Sequence, residues 1–541
     1  MCGCCLSNSV KEFNLNESLF EPTGPPQRKQ TLVKCSKTVD YKTKYQYVST
    51  IGSGSFGLVR LYKDKDCKSL KYAIKTLKKD FFNQFSIDSI IREIDILRSL
   101  DHPNIVKYFE TYEDDYYLHI VMEYIPGDNL FKMISNKKSI HFTEKDINQI
   151  LLFLLKSVAF LHHNEIVHRD LKPENILFSV PGDYSSLKLI DFGLSVSKKK
   201  KCENYRVGTP YYMAPEMIKG RYDYKSDVWS IGVILYTMIT GSLPFTGENK
   251  SEVFTNISKG NFDQKKLANQ NCSTEIKHLI TRCLVVNVIE RISIFEIFQH
   301  PWFKLFHSED EAHDNLIINS NIIKALKDFQ SQNLLQKEVL YYLAKISTED
   351  EVCKLRDAFS AIDEDNSGEI EYSDIPKIFQ ELGIKASEEE LKKIFDSLDF
   401  HHDGKVNYTE FIAATLSSIK FAKGEKLRSA FRYFDVNDTG FITAESVIEA
   451  LKRSNLVCNE DELERIFNQL KDKKIDYKEF KKIIYEEKNK KDEMEKEAKE
   501  KKNYLNLFLR FFFLIFSIFF TSFFIYFLLF FFIYVLLFCL L

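Results

Sequence analysis

Apolar and polar positions change their pattern along the chain in well-defined blocks. Residues 1–44 are polar, with Pro22, Gly24, Pro25 and Pro26 close together, the composition of a flexible arm. From Tyr45 the pattern becomes globular, and up to His300-Pro301-Trp302-Phe303 a β-rich stretch precedes long helical periodicity. That order predicts a two-lobed α+β domain over 45–303. A junction, 304–350, follows, where a helix predicted from about Asn321 to Ile346 carries Ile322, Ile323, Leu326, Phe329, Leu334, Leu335, Val339, Leu340 and Leu343 as an apolar stripe. Such a stripe needs a partner surface. Residues 351–485 repeat with a period of 36: acidic loops start at Asp363, Asp399 and Asp435, each between amphipathic helices, which predicts an all-α domain. A charged stretch, 486–510, then leads to an uncharged run, 511–541.

At 541 residues, 44% hydrophobic and 28% charged, the chain can fold two or three domains. Its net charge of −2 argues against a nucleic-acid-binding protein. The eleven cysteines have no metal-ligand or disulfide-framework spacing apart from Cys2, Cys4 and Cys5 at one end and Cys539 at the other, so the interior ones read as reduced thiols of a cytosolic protein. The first thirty residues hold no apolar segment of a secretory signal.

Ile51 precedes Gly52-Ser53-Gly54-Ser55-Phe56-Gly57, with Val59 two residues later. Glycines in such a turn let backbone N–H groups approach phosphates. Ala73-Ile74-Lys75 lies on the next apolar strand pattern, and Glu93 follows on a helix at a distance suited to pairing with Lys75. His168-Arg169-Asp170-Leu171-Lys172-Pro173-Glu174-Asn175, Asp191-Phe192-Gly193 and Ala214-Pro215-Glu216 come in that order. Together these five motifs resemble the protein kinase superfamily.

The resemblance implies ATP and Mg2+ as cofactors and a phosphoryl transfer that rests on positioning and electrostatics. It implies that Lys75 clamps the α- and β-phosphates, Asp170 orients the substrate hydroxyl and takes its proton, and Lys172 stabilises the transferring group. Asn175 and Asp191 are implied Mg2+ ligands, with Glu123 to Ile125 as the hinge that presents backbone groups to adenine. Met122 is the gatekeeper on this reading, or plain core filler. Asp227 is expected to hold the catalytic loop, and Arg291 to pair with Glu216. Lys172 and Gly208-Thr209-Pro210-Tyr211-Tyr212 resemble serine/threonine rather than tyrosine kinases, and Thr209 reads as a catalytic-loop contact. The activation segment also carries Ser195, Ser197, Tyr205 and the run Lys198-Lys199-Lys200-Lys201, which reads as a solvated loop. One departure concerns substrate choice: Asn129 stands where the family often has an acid that binds basic residues, while Glu174 is retained. A preference for basic substrates stays open.

A calcium-binding EF-hand loop takes oxygen ligands at positions 1, 3, 5, 7, 9 and 12, with glycine at 6 and a bidentate glutamate at 12. The first loop has Asp363, Asp365, Ser367, Gly368, Glu369 through its carbonyl, Glu371 and, at position 12, Asp374. The shorter carboxylate predicts a weaker site, more tolerant of Mg2+. The second has Asp399, His401, Asp403, Gly404, Lys405 through its carbonyl, Asn407 and Glu410, with His401 in place of an oxygen ligand. In the third, Asp435, Asn437, Thr439, Gly440, Phe441 and Thr443 lead to Ser446 at position 12, with Glu445 one residue early, so weak binding is expected. The fourth starts at Lys471 and is shortened, since Ile475 and Asp476-Tyr477-Lys478-Glu479-Phe480 arrive early. It reads as a structural partner.

A kinase, an amphipathic junction and four EF-hand units resemble the calcium-dependent protein kinase family over about residues 45 to 485. The resemblance implies a junction that occupies or props the kinase site until calcium opens the EF-hand lobes, which then capture its apolar face. Lys324 and Lys327 are candidate pseudosubstrate contacts, or solvent-facing lysines. A hundredfold activation needs about 2.7 kcal/mol of differential calcium affinity, within reach of one or two sites.

Cys2 stands where N-myristoylation needs glycine, so palmitoylation of Cys2, Cys4 or Cys5 is expected instead. Stable anchoring needs two acyl chains. Phe511 to Leu541 is long enough to span a bilayer, with lysines before it on the cytosolic side. It is either a tail anchor or the translation of a thymine-rich non-coding stretch. The expectation is a monomeric, cytoplasmic, membrane-associated serine/threonine kinase acting on proteins. Two alternatives stand beside it: a kinase with vestigial EF-hands regulated by phosphorylation, and a non-catalytic calcium-binding scaffold.

Overall fold

The computed structural model describes residues 40–54, 57–79, 84–136, 142–197, 209–306, 320–332, 334–381, 384, 386–399, 402–416, 424–453, 464 and 474–484. The N-terminal cysteines, Ser55, Phe56, Lys198 to Lys201, Tyr205, Gly208, His401, Lys471, the charged linker and the apolar tail lie outside the described residues. The described residues fall into two compact units. One runs to Asn437 and takes in Ala444–Arg453; the other comprises Asp438–Thr443 and residues 474–484.

The first unit opens with an antiparallel sheet in the order β1-β2-β3-β5-β4, built from β1 (Tyr45–Gly54), β2 (Gly57–Asp64), β3 (Lys71–Lys78), β4 (Tyr108–Glu113) and β5 (Tyr117–Glu123). Helix α1 (Gln84–Ser99) covers it, and Leu77, Ile87, Ile90, Ile94, Leu118 and Ile120 form the core between them. The register sets Lys75 opposite Val59 on β2 and Ile120 on β5. A slip of one residue would turn Lys75 to the other face. At Gly57 a Cβ would stand 2.2 Å from the Thr76 carbonyl oxygen, so only glycine lets β2 start this close to β3.

The larger lobe follows: α2 (Leu130–Ser135), α3 (Glu144–His163), α4 (Pro215–Ile218), α5 (Tyr224–Thr240), α6 (Lys250–Lys259), α7 (Gln264–Ala268), α8 (Thr274–Cys283), α9 (Ile294–Phe298) and α10 (Pro301–Lys304). Two short antiparallel pairs, β6 (Ile166–Val167) with β9 (Val196–Ser197) and β7 (Ile176–Phe178) with β8 (Leu187–Leu189), frame residues 168–175. Reciprocal capping boxes start α3, at Thr143 and Asp146, and α5, at Asp223 and Ser226. Every residue of α5 from Ser226 to Met238 is buried, as befits a helix that is largely apolar all round.

The junction is two helices rather than the single one expected: α11 (Ser320–Gln330) and α12 (Leu334–Lys345). The polar run Ser331-Gln332-Asn333 interrupts the stripe, and the Ser331 and Gln332 amides turn back to the Asp328 and Phe329 carbonyls. Ile322, Ile323, Leu326, Phe329, Leu335, Val339 and Leu343 are all buried.

Their partner surface lies in the EF-hand region. That region comprises α13 (Glu349–Ile362), β10 (Ile370–Glu371), α14 (Asp374–Glu381), α15 (Glu388–Leu398), β11 (Lys405–Val406), α16 (Tyr408–Thr415), α17 (Glu425–Phe434) and α18 (Ala444–Arg453). α11 packs on α15 and α16, and α12 on α16 and α17. Strands β10 and β11 pair, tying the first loop to the second. In the second unit Ile442 and Ile475 exchange both backbone hydrogen bonds, at 2.9 and 3.0 Å, and 477–484 are helical. No described helix is long and apolar enough to cross a membrane.

Candidate catalytic cleft and calcium loops

Lys75 Nζ donates to Glu93 Oε1 at 2.6 Å and lies 3.7 Å from Asp191 Oδ1. Burial alone would push the ammonium down; Glu93 and Asp191 overcome this and hold it raised and charged. Asp191 adopts a left-handed backbone (φ 64°). Enclosure raises its carboxyl, but Lys75, Lys172 and His168 more than reverse the effect and keep it low. Phe192, fully buried, packs edge-on against His168 at 5.1 Å. The lysine, the helix acid and the second acid thus converge on one point, although each arrives from a different element.

Around Asp170 the hydrogen bonds are dense. Its Oδ2 accepts from Lys172 Nζ at 2.5 Å, and its Oδ1 from the Thr209 amide and hydroxyl at 3.0 and 2.9 Å. Lys172 Nζ also donates to Thr209 Oγ1 at 3.0 Å, so Thr209 is the catalytic-loop contact expected. Asn175 Nδ2 donates to the Asp170 carbonyl at 2.9 Å, which leaves Asn175 Oδ1 as the oxygen available to a cation. Asp227, on α5, accepts from the His168 and Arg169 amides at 3.0 Å each and meets His162 Nε2 at 2.8 Å. Burial alone would raise its carboxyl, but His162 and the other partners reverse this and hold it below the ordinary aspartate value. Arg291, 1% exposed, holds Glu216 by two bonds of 2.8 and 2.9 Å.

Of the other cleft residues, Gly52, Ser53 and Gly54 end β1 with Ile51 exposed before them, and Val59 stands opposite Gly52. Ala73 pairs with Met122 across β3 and β5. Glu123 and Ile125 follow at the hinge. The carboxylate of Glu123 points back from it, accepting from the Lys107 amide at 3.2 Å and lying 3.3 Å from Lys188 Nζ. Asn129 is engaged as the N-cap of α2, where its Oδ1 accepts from the Lys132 amide at 2.9 Å. Its side chain serves the helix rather than standing in for the missing acid. Glu174 Oε2 is buried without a hydrogen-bond partner among the described residues, and burial raises its carboxyl.

The calcium loops share one backbone. Asn366, His402 and Asp438 at position 4 have φ of 57°, 52° and 51°, and Gly368, Gly404 and Gly440 at position 6 have φ of 78°, 83° and 81°. In the first loop Ser367 Oγ lies 3.4 Å from Asp363 Oδ1 and 3.1 Å from the Glu369 carbonyl oxygen, and Gly368 N donates to Asp363 Oδ2 at 3.0 Å. Asp365 Oδ1 accepts from the Ser367 amide. Burial pushes Asp363 up to about 7; Lys156 opposes the shift and Asp365 adds to it. A buried acid facing a second acid suits a divalent cation. Asp374 Oδ2 accepts from the Glu371 amide at 2.9 Å, and its Oδ1 from Lys377 Nζ at 3.4 Å.

In the second loop Asp399 accepts from the Asp403 and Gly404 amides, and Asp403 from the Lys405 amide. Asn407 and the buried Glu410 form the capping box of α16, with bonds of 2.7 and 2.9 Å. Among the described residues no three His, Cys, Asp or Glu side chains converge as a metal cluster. The converging oxygens are a mixture of carboxylate, hydroxyl and carbonyl. Asp435, Asn437 and Thr439 of the third loop keep the sequence pattern, and Thr439 Oγ1 donates to the Phe441 carbonyl at 3.1 Å.

The protein kinase domain model matches residues 45–303, and the EF-hand domain pair model matches 352–416 and 425–485. Calcium-dependent protein kinase 4 of Plasmodium falciparum is 33% identical over 499 residues, covering 88% of this chain and 92% of its own length. The chain belongs to the calcium-dependent protein kinase family. Calcium-dependent protein kinase 22 of Arabidopsis thaliana (34% over 467 residues, 84% and 92% covered) and calcium-dependent protein kinase 7 of Oryza sativa subsp. japonica (34% over 450, 82% and 81%) are similar over the same extent. This calcium-dependent protein kinase is a calcium-activated serine/threonine kinase with ATP, Mg2+ and Ca2+ as cofactors.

Sequence reasoning missed how the kinase and calcium regions of this family member meet. Thr409 of α16 gives its amide and hydroxyl to Asp101, both at 2.9 Å; Arg356 NH2 donates to Ser185 Oγ at 2.6 Å; Arg432 of α17 pairs with Asp66. The one available signal was Lys188, a lysine inside the apolar strand Leu187–Leu189. Lys327, a candidate pseudosubstrate contact, instead pairs with Glu390 on α15 at 2.8 Å.

Proposed function

We propose that calcium gates phosphate transfer here through the first two EF-hand loops, and that the arrangement described is the released one. One observation carries this: the apolar faces of α11 and α12 are buried, α11 packing on α15 and α16 and α12 on α16 and α17, while the Lys75, Glu93 and Asp191 constellation is closed. In this reading Asp170 Oδ1 and Oδ2 orient a serine or threonine hydroxyl and take its proton, with Lys172 beside them to offset the charge on the transferring group. Lys75, locked by Glu93, steadies the α- and β-phosphates. Bound Mg2+ neutralises phosphate charge, and Asn175 and Asp191 are the residues that would hold it.

The first and second loops would carry the ion, Asp363, Asp365, Ser367, the Glu369 carbonyl and Asp374 in one, and Asp399, His401, Asp403, the Lys405 carbonyl and Glu410 in the other. Asp435, Asn437 and Thr439 would bind weakly. The chain would act as a cytoplasmic monomer held at a membrane by acylation of Cys2, Cys4 or Cys5, with the tail from Phe511 as a further anchor. Replacing the three cysteines by serine would then abolish labelling by a palmitate analogue.

The gate is tested by titrating peptide phosphorylation with calcium in wild type and in Glu410→Gln. A shift of the half-activating calcium concentration by about tenfold or more, ~1.4 kcal/mol, is expected, with activity in EGTA unchanged. An unchanged calcium dependence would remove the second loop from the mechanism.

A further inference from the structure

Helix α13 begins at Glu349 and ends at Ile362, with Asp363, the first position of the first calcium loop, as its C-cap, so one helix of about 21 Å joins two places of different chemistry. At its start Glu349 Oε2 lies 3.6 Å from Lys188 Nζ, and Lys188, 1% exposed, reaches Glu123 Oε1 at the hinge, 3.3 Å away. Arg356, two turns along the helix, pairs with Glu349 and donates to Ser185 Oγ in the turn before β8. Arg356 also holds Asp357 at 2.9 Å and keeps that partner without Glu349, whereas loss of Glu349 would leave the buried Lys188 facing the Glu123 carboxylate alone among the described ion pairs. Burial alone would lower Lys188, but Glu123 and Glu349 reverse this and keep it charged.

At the other end the calcium loop rests on the kinase. Gly368 has φ 78°, and a Cβ there would stand 2.5 Å from Phe160 Cδ2 and 2.9 Å from His102 Cδ2. The loop thus lies against Phe160 of α3 and against His102 with no room for a side chain between them. Because the helix between its two ends has a fixed rise per residue, a displacement of Asp363 is carried to Glu349 instead of being absorbed along the way.

We propose that Glu349 is a positioning residue for nucleotide: acting through Lys188, it holds Glu123 and with it the hinge, so that Mg·nucleotide and first-loop calcium each tighten the other's binding. This rests on the calcium-gated kinase reading and adds a reciprocal coupling to it. Linkage requires the same factor in both directions.

The test uses the full chain at constant Mg2+. Calcium affinity is measured by titration calorimetry with and without saturating ADP, and ADP affinity with and without saturating calcium. Wild type is expected to show the same enhancement, at least about fivefold, in both directions. In Glu349→Gln it falls to within twofold, and Glu349→Asp restores part of it. A residue that merely helps the calcium region dock would lower the affinities and leave their ratio unchanged, which would overturn the proposal. So would ligands that bind wild type independently; that result needs no variant and leaves the kinase reading standing. If wild type binds neither ADP nor calcium, both readings fall together.

Discussion

Asp227 and Asp363 are both buried aspartates, 0% and 4% exposed, yet their carboxyls are displaced in opposite directions. Asp227 is completed by the chain itself: two backbone amides and His162 supply its positive partners. Asp363 receives the Gly368 amide and faces Asp365, and Lys156 opposes the rise of its carboxyl without reversing it. Equal burial therefore has two outcomes. In the catalytic lobe the charge is already balanced and the loop it holds is permanent. In the calcium loop the balance is left to an ion, and the structure around it can respond to that ion.

The largest effect should come from breaking the complete site. Asp227→Ala removes two charge-assisted bonds to the catalytic loop and should cost about 3 kcal/mol or more in urea unfolding, equally in EGTA and in calcium. Transfer should fall about 100-fold as Asp170 loses its support. Since the folded carboxyl sits below its unfolded value, the unfolded chain protonates first. This part of the stability is present above about pH 4 and is lost as pH falls through the folded value, and Asp227→Ala should remove it.

Asp363→Asn should behave in the opposite way. In EGTA it relieves a buried charge and leaves stability unchanged or higher, while in calcium it loses the first loop's share of stabilisation, about 2.7 kcal/mol at a hundredfold excess over Kd. A loss of stability in EGTA as large as that of Asp227→Ala would erase the distinction. Asp374→Glu sharpens it: the longer carboxylate at position 12 can bind in bidentate fashion, and titration calorimetry should show about tenfold tighter calcium, ~1.4 kcal/mol. The smallest effect is expected of Lys156→Met, which withdraws a competing cation and should tighten calcium about twofold, ~0.5 kcal/mol.

The catalytic constellation was legible in the sequence because its motifs are short and their order is fixed. Asp170, Lys172 and Asn175 lie within one loop, and Lys75 and Glu93 meet at 2.6 Å because the register of β3 and the start of α1 set both. The period of 36 gave the calcium loops down to their backbone, since positions 366, 402 and 438 share one left-handed φ. The junction was only partly legible. Seven of its nine apolar positions are buried and Leu340 is half-buried, but the period runs through Ser331 and Gln332, and amphipathic spacing does not register a break at polar residues. Asn129 was legible only in part: its comparison with the family's acid concerned substrate, and the helix cap that its oxygen makes on α2 was not foreseen. Nothing in the sequence announced Asp101 with Thr409 or Ser185 with Arg356. Such pairs join residues 308 and 171 positions apart, and no local pattern encodes a partner at that range.

The most direct measurement is phosphate transfer from Mg·ATP to a serine/threonine peptide by the full chain, in EGTA and in micromolar free calcium. The account predicts strong stimulation by calcium, on the order of a hundredfold for about 2.7 kcal/mol of coupling. Equal rates in the two conditions would contradict it.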